Sequence, residues 1–122
     1  MKFKKTIIAL GLLSASSVLL AADFKDGYEA AEASDYKKAA QIWQKLAEKG
    51  DPVAQFNLGA MYHSGAAGYM NEKLAVKWYK KAAKNGSERA REYLVVGYRE
   101  GWFGLKKDET KARFWEKKLN EY

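Results

Sequence analysis

The chain of 122 residues has no cysteine, one proline and one histidine. Without cysteine it has no disulfide, no thiolate metal site and no lipid-modified cysteine, so its core must hold by packing alone. Its titratable residues show no metal-spaced cluster, no Gly-rich phosphate loop and no serine in a nucleophile turn. The lone His63 is followed by Ser64. Neighbours on a helix point about 100° apart, so the two do not make a base and nucleophile pair. No catalytic residue, cofactor or metal is therefore expected. Also missing is an apolar run of membrane-spanning length: Ile7 to Leu20 is 14 residues, against the ~20 that a spanning helix needs.

That short apolar run belongs to a distinct opening segment. Met1, Lys2, Phe3, Lys4 and Lys5 form a basic head, the apolar stretch follows, and the small residues Ala21 and Ala22 precede the first acid, Asp23. This is the layout of a secretory signal peptide. It predicts a signal peptide over residues 1–22, one domain over residues 23–122, export to the periplasm of a Gram-negative bacterium, and membrane contact only in transit. With the three head lysines removed from 22 basic residues, 19 remain against 15 acidic ones. The surplus is mild, and the charges interleave, as in Glu116-Lys117-Lys118, which reads as a solvated helix face rather than a nucleic-acid surface.

What the chain has in abundance is self-similarity. Ala54, Leu58, Tyr62, Gly65 and Gly68 return as Ala90, Leu94, Tyr98, Gly101 and Gly104, each pair 36 residues apart. A second element recurs three times, with Ala39, Ala75 and Ala112 equivalent and Ile42, Trp78 and Trp115 equivalent. A period of this length marks stacked helical hairpins, none of which can cover its own apolar face alone. The punctuation gives six helices: Phe24 to Ala33, Tyr36 to Lys49, Asp51-Pro52 to about Ser64, Asn71 to Lys84, Ser87 to about Glu100, and Asp108 to the C-terminus. Alanines 39, 47, 54, 75, 82, 83, 90 and 112 are placed where helices must approach closely. Trp78, Trp115, Tyr62, Tyr98, Leu58 and Leu94 are expected to fill the space between layers.

The residues Ala54, Leu58, Gly59, Tyr62, Gly65 and Gly68, running into Ala75, Trp78, Tyr79, Lys81, Ala82, Ala83, Gly86 and Ala90, resemble the Sel-one-like repeat, a relative of the tetratricopeptide repeat. Val95 in place of a glycine, Glu116 in place of a tyrosine and a loop one residue short after Gly68 depart from the pattern. The resemblance implies an all-α, right-handed α-solenoid of about three stacked helical hairpins, and a scaffolding role. Its concave surface would hold a protein or peptide partner.

Carried over by repeat position, the inward-facing residues are Phe24, Tyr28 and Ala31, then Phe56, Ala60 and His63, then Glu92, Val96 and Arg99. Tyr28 and Phe56 alternatively pack between layers. These positions describe a groove aromatic at one end and charged at the other. Trp102 and Phe103, flanked by glycines, form a second candidate hot spot, with one ring free to close the loop. The candidate partner-binding set is thus Tyr28, Phe56, His63, Glu92, Arg99, Trp102 and Phe103. The expected function is a non-catalytic exported adaptor or scaffold. The alternative is an immunity protein that neutralises a toxic effector enzyme in the periplasm, and a weaker one is a hydrolase of this repeat class.

Overall fold

The computed structural model describes residues 15–121, with side chains described over residues 23–121. Over the described residues six α-helices follow one another: α1 Ala15–Glu32, α2 Tyr36–Glu48, α3 Pro52–Ser64, α4 Glu72–Lys84, α5 Glu88–Glu100 and α6 Glu109–Leu119. Among the described residues there is no strand. The helices pair as three antiparallel hairpins, and each helix packs chiefly on the ones before and after it in sequence, as a solenoid requires.

Five of the six starts fall where side chains cap them. Asp35, Asp51, Asn71, Ser87 and Asp108 each accept a hydrogen bond from the backbone N–H three residues on, at 2.9–3.2 Å, satisfying a donor that the first turn leaves unpaired. Pro52 occupies the first turn of α3, where its missing N–H costs nothing. At the other end, Gly65 and Gly101 close α3 and α5 in the left-handed region, at φ 83° and 72°, where a Cβ would be strained.

The first helix is already formed at Ala15, the first described residue, ahead of the expected start at Phe24. The sequence from Ala15 to Gly27 carries no proline or internal glycine to break it, and its alanines and leucines are strong helix formers. The expected signal peptide lies partly outside the described residues: residues 1–14 are not described, and residues 15–22 continue into α1. Among the described residues no helix is long and apolar enough to cross a membrane.

Two apolar clusters, one per interface between hairpins, make up the core. The first gathers Trp43, Leu46, Ala54, Leu58 and Trp78; the second gathers Phe56, Tyr79, Leu94, Tyr98 and Trp115. All eight alanines singled out by the repeat are at most 2 % exposed, as close helix approach demands. Trp78, Trp115, Tyr98, Leu58 and Leu94 are buried, and Tyr62 is half-buried against both clusters.

Middle helix α4 serves both interfaces. Trp78 enters the first cluster and its neighbour Tyr79 the second, because adjacent residues on a helix diverge by about 100°. Tyr79 is accommodated by Gly59 on α3: a Cβ there would come within 2.8 Å of the ring.

Candidate partner-binding groove

The first helix of each hairpin, α1, α3 and α5, contributes a stripe to one recessed face. At the α1 end, Tyr28 lays its ring edge-on against Trp43, with centroids 4.8 Å apart. Its hydroxyl accepts a hydrogen bond from Asn57 Nδ2 of α3 at 3.3 Å. Tyr28 stays 48 % exposed and borders a hollow of about 360 Å³ that reaches Ala60 and Ser64.

A second hollow, of about 380 Å³, begins at those same two residues and runs over His63 to Tyr93. A third, of about 410 Å³, shares His63 and Tyr93 and ends on Val96, Glu92, Trp102 and Phe103. Because successive hollows share walls, they form one groove along all three hairpins.

The third hollow owes its shape to the loop after α5. Phe103 sits at φ 58°, a left-handed conformation uncommon outside glycine. Its ring stacks on Tyr93 at 5.4 Å and 27° and meets His63 edge-on at 4.9 Å. Gly97 makes room for this return, since a Cβ on it would lie 2.8 Å from Leu105 Cδ1 and 3.1 Å from Phe103 Cδ2. Phe103 is therefore the ring that closes the loop. Trp102 is left standing outward at 55 % exposure.

The Tyr79 hydroxyl is pushed well above its ordinary value, first by burial and then by the neighbouring Tyr93, because a phenolate would be poorly solvated there. It lies 3.4 Å from His63 Nδ1.

Four of the seven candidate residues, His63, Glu92, Trp102 and Phe103, thus meet in one hollow, and Tyr28 lies at the other end of the same groove. Two do not line it. Phe56 is 8 % exposed, packed against Tyr79 at 5.4 Å and Tyr93 at 5.5 Å with the Arg89 guanidinium over its face, so it belongs to the interior between hairpins. Arg99 turns to α6, where it bonds Glu109 and Glu116, each at 3.2 Å. The expected charged end is accordingly reduced to Glu92, and the groove is aromatic at both ends.

Two groove residues escaped the sequence reading, Asn57 and Tyr93. They are themselves 36 residues apart, and that equivalence was the available signal.

Stacked helical hairpins with a recessed face along the first helices define the class as an α-solenoid repeat protein. The Sel1 repeat family model matches residues 24–51, 52–87 and 93–118, and the chain belongs to that family. It is similar to a crystal structure of a Sel1 repeat protein from Oxalobacter formigenes, at 34 % identity and a TM-score of 0.64, over 69 % of this chain and 34 % of that one. It is 37 % identical over 65 residues to an F-box protein of Arabidopsis thaliana, covering 53 % of this chain and 18 % of the relative. It is also 42 % identical over 64 residues to a chitin synthase regulator of Saccharomyces cerevisiae, covering 52 % and 9 %. The chain thus spans a small part of the length of the curated relatives it matches. Sel1 repeats generally mediate protein–protein interaction and are typically non-catalytic.

Proposed function

We propose that this chain is an exported, non-catalytic interaction module of the periplasm that grips a protein or peptide partner along the groove of α1, α3 and α5. The supporting observation is the pair of exposed aromatics at its two ends, Tyr28 and Trp102, joined by a continuous recess through Ala60, His63 and Tyr93. Large aromatics standing over a hollow are the residues that most often dominate binding energy. The groove length and its two apolar ends fit an extended segment with two anchor side chains.

Within this reading the module is an adaptor for several envelope proteins, and the immunity role is the competing form of the same chemistry. An envelope extract passed over the immobilised chain separates them. Several partners held in substoichiometric amounts fit the adaptor; one enzyme held at equal stoichiometry fits the inhibitor. Both require that Tyr28→Ala and Trp102→Ala abolish retention. Undiminished retention by the double variant overturns the groove as the binding face.

A further inference from the structure

A second recess lies between α4 and the loop that follows α5, and meets the groove's third hollow only at Phe103, which lines both. It has a volume of about 550 Å³ and is walled on one side by Lys73, Lys77 and Lys80, which stand at i, i+4 and i+7 along α4. Val76 and Leu105 give it an apolar floor. Beside Lys80 the charge continues onto the next second helix: Lys80 Nζ and Lys111 Nζ lie 5.9 Å and 5.4 Å from the centre of the same ring, Tyr98.

Among the described residues none of these four lysines makes an ion pair, whereas Arg99 and Arg113 are matched by Glu109 and Glu116. Lysines serving only as a solvated coat have no reason to converge. Here two ammonium groups from separate helices lie against one aromatic ring, and two more line the adjoining recess. Like charges held this close, within a Debye length, raise the local potential and favour an anion arriving from solution.

We propose that this recess is a docking site for an acidic segment of a protein partner, one in which carboxylates alternate with aliphatic side chains. The carboxylates meet Lys73, Lys77, Lys80 and Lys111, and an aliphatic side chain covers Val76 and Leu105. Two features favour a peptide over other polyanions. Glu72 also lines the recess, and its carboxylate stands beside Gly104, 3.4 Å from where a Cβ on that residue would be, placing a negative charge that an unbroken phosphate backbone would have to pass. The apolar floor is recessed, which suits a side chain rather than the flat surface of a membrane. Phe103 is the one residue this site shares with the groove; its lysines line no part of the groove, and docking here does not depend on the function proposed for the groove.

The test titrates the full chain with a fluorescent dodecapeptide made of repeated Glu-Glu-Leu. Its Gln-Gln-Leu counterpart, an oligothymidylate of the same length and vesicles containing phosphatidylglycerol are run alongside. The acidic peptide is expected to bind, to weaken with salt, and to shift backbone amide resonances around Val76, Lys80 and Leu105. Lys77→Gln with Lys80→Gln should weaken it about two- to thirtyfold, as the loss of two exposed charge pairs predicts, while Tyr28→Ala leaves it unchanged. The proposal is overturned if the Gln peptide binds equally well, if the oligonucleotide or vesicles bind more tightly, or if Lys45→Gln on α2 weakens binding as much as the paired variant.

Discussion

Gln55 and Arg91, 36 residues apart, do the same work with different chemistry. Gln55 Nε2 donates to the Ala47 carbonyl at 3.1 Å, and Arg91 Nε donates to the Ala83 carbonyl at 2.9 Å. Each thereby ties a first helix to the last turn of the second helix before it. Each also reaches the second helix after it: Gln55 Oε1 accepts from Asn85 Nδ2 at 3.0 Å, and Arg91 Nη1 donates to the Lys118 carbonyl at 3.0 Å. These two side chains therefore stitch α2 to α4 and α4 to α6. Gln55 is the one buried polar side chain among the described residues.

Replacing either by alanine should cost about 1–2 kcal/mol, since each variant strands polar partners near the core. Arg91→Gln should recover only part of that loss. A glutamine amide can still donate to Ala83, but its oxygen would face the Lys118 carbonyl, acceptor against acceptor. Urea denaturation of the three variants, ranked by midpoint, checks the order.

Gly59 offers a test in which local propensity and packing have opposite signs. Alanine at a helix-interior glycine gains about 1 kcal/mol of helix propensity. At Gly59, however, the added Cβ meets Tyr79 at 2.8 Å and the Ala75 carbonyl at 3.1 Å, and backbone cannot give way cheaply. Overpacking of this kind costs about 1–3 kcal/mol. Gly59→Ala is therefore expected to lower the denaturation midpoint, and Gly59→Ala with Tyr79→Leu to regain part of it.

The same pair shows why the sequence disclosed the hairpins more fully than the groove. The 36-residue recurrence and the eight alanines report close helix packing, which is periodic and local, so helix limits and core alanines were legible. Tyr79 is named with the repeat motif but not among the residues expected to fill the space between layers beside Trp78, because a single apolar stripe is the default for a surface helix and α4 has two. Its equivalents follow the environment: Trp43 is 2 % exposed under the second hairpin, whereas Glu116 is exposed and turns to Arg99. Val95 occupies the position of Gly59 in the hairpin where no ring stands at the place of Tyr79. In the groove the reading of Phe56 as inward fails, and Asn57 takes that place, whereas Glu92 does line the third hollow together with Tyr93, which the reading leaves out; an i, i+4, i+7 pattern fits either neighbour. Only the contacts between hairpins choose.

Tyr79 also predicts the alkaline behaviour. Its pKa in the folded chain is raised above the ordinary 10.0 by burial and by Tyr93. The unfolded chain therefore loses this proton first as pH rises. The stability associated with the neutral, buried phenol is complete below about pH 10 and is lost as pH climbs from there toward the folded value. Tyr79→Phe should flatten the alkaline limb of a plot of thermal midpoint against pH, and an unchanged limb would show that Tyr79 does not govern it.

On the acid side the group to watch is Glu109. Hydrogen bonding to Arg99 holds its carboxyl below the ordinary 4.5, so its stabilising effect is present above that value and is lost as pH falls through the depressed one. Arg99→Gln should return the Glu109 midpoint toward the ordinary carboxylate range in a side-chain NMR titration. Because Arg99 is committed to α6 rather than to the groove, the same variant should leave retention of a groove partner unchanged.

Trp102 and Phe103 are adjacent in sequence but truncation should separate them by stability: both should lose partner, and only Phe103 should lose melting temperature. Phe103 is packed on Tyr93 and His63, and its removal empties one wall of the recess; Phe103→Ala should lower both the melting temperature and partner retention. Trp102 touches Phe103 edge-on at 6.2 Å and otherwise stands in solvent. Removing it should leave the melting temperature almost unmoved, as for most exposed substitutions. If Trp102 anchors the partner, its loss should cost about 2 kcal/mol of binding, some thirtyfold in Kd. The contrast isolates recognition from folding, because two neighbouring rings share one loop and only one of them is needed to hold it closed.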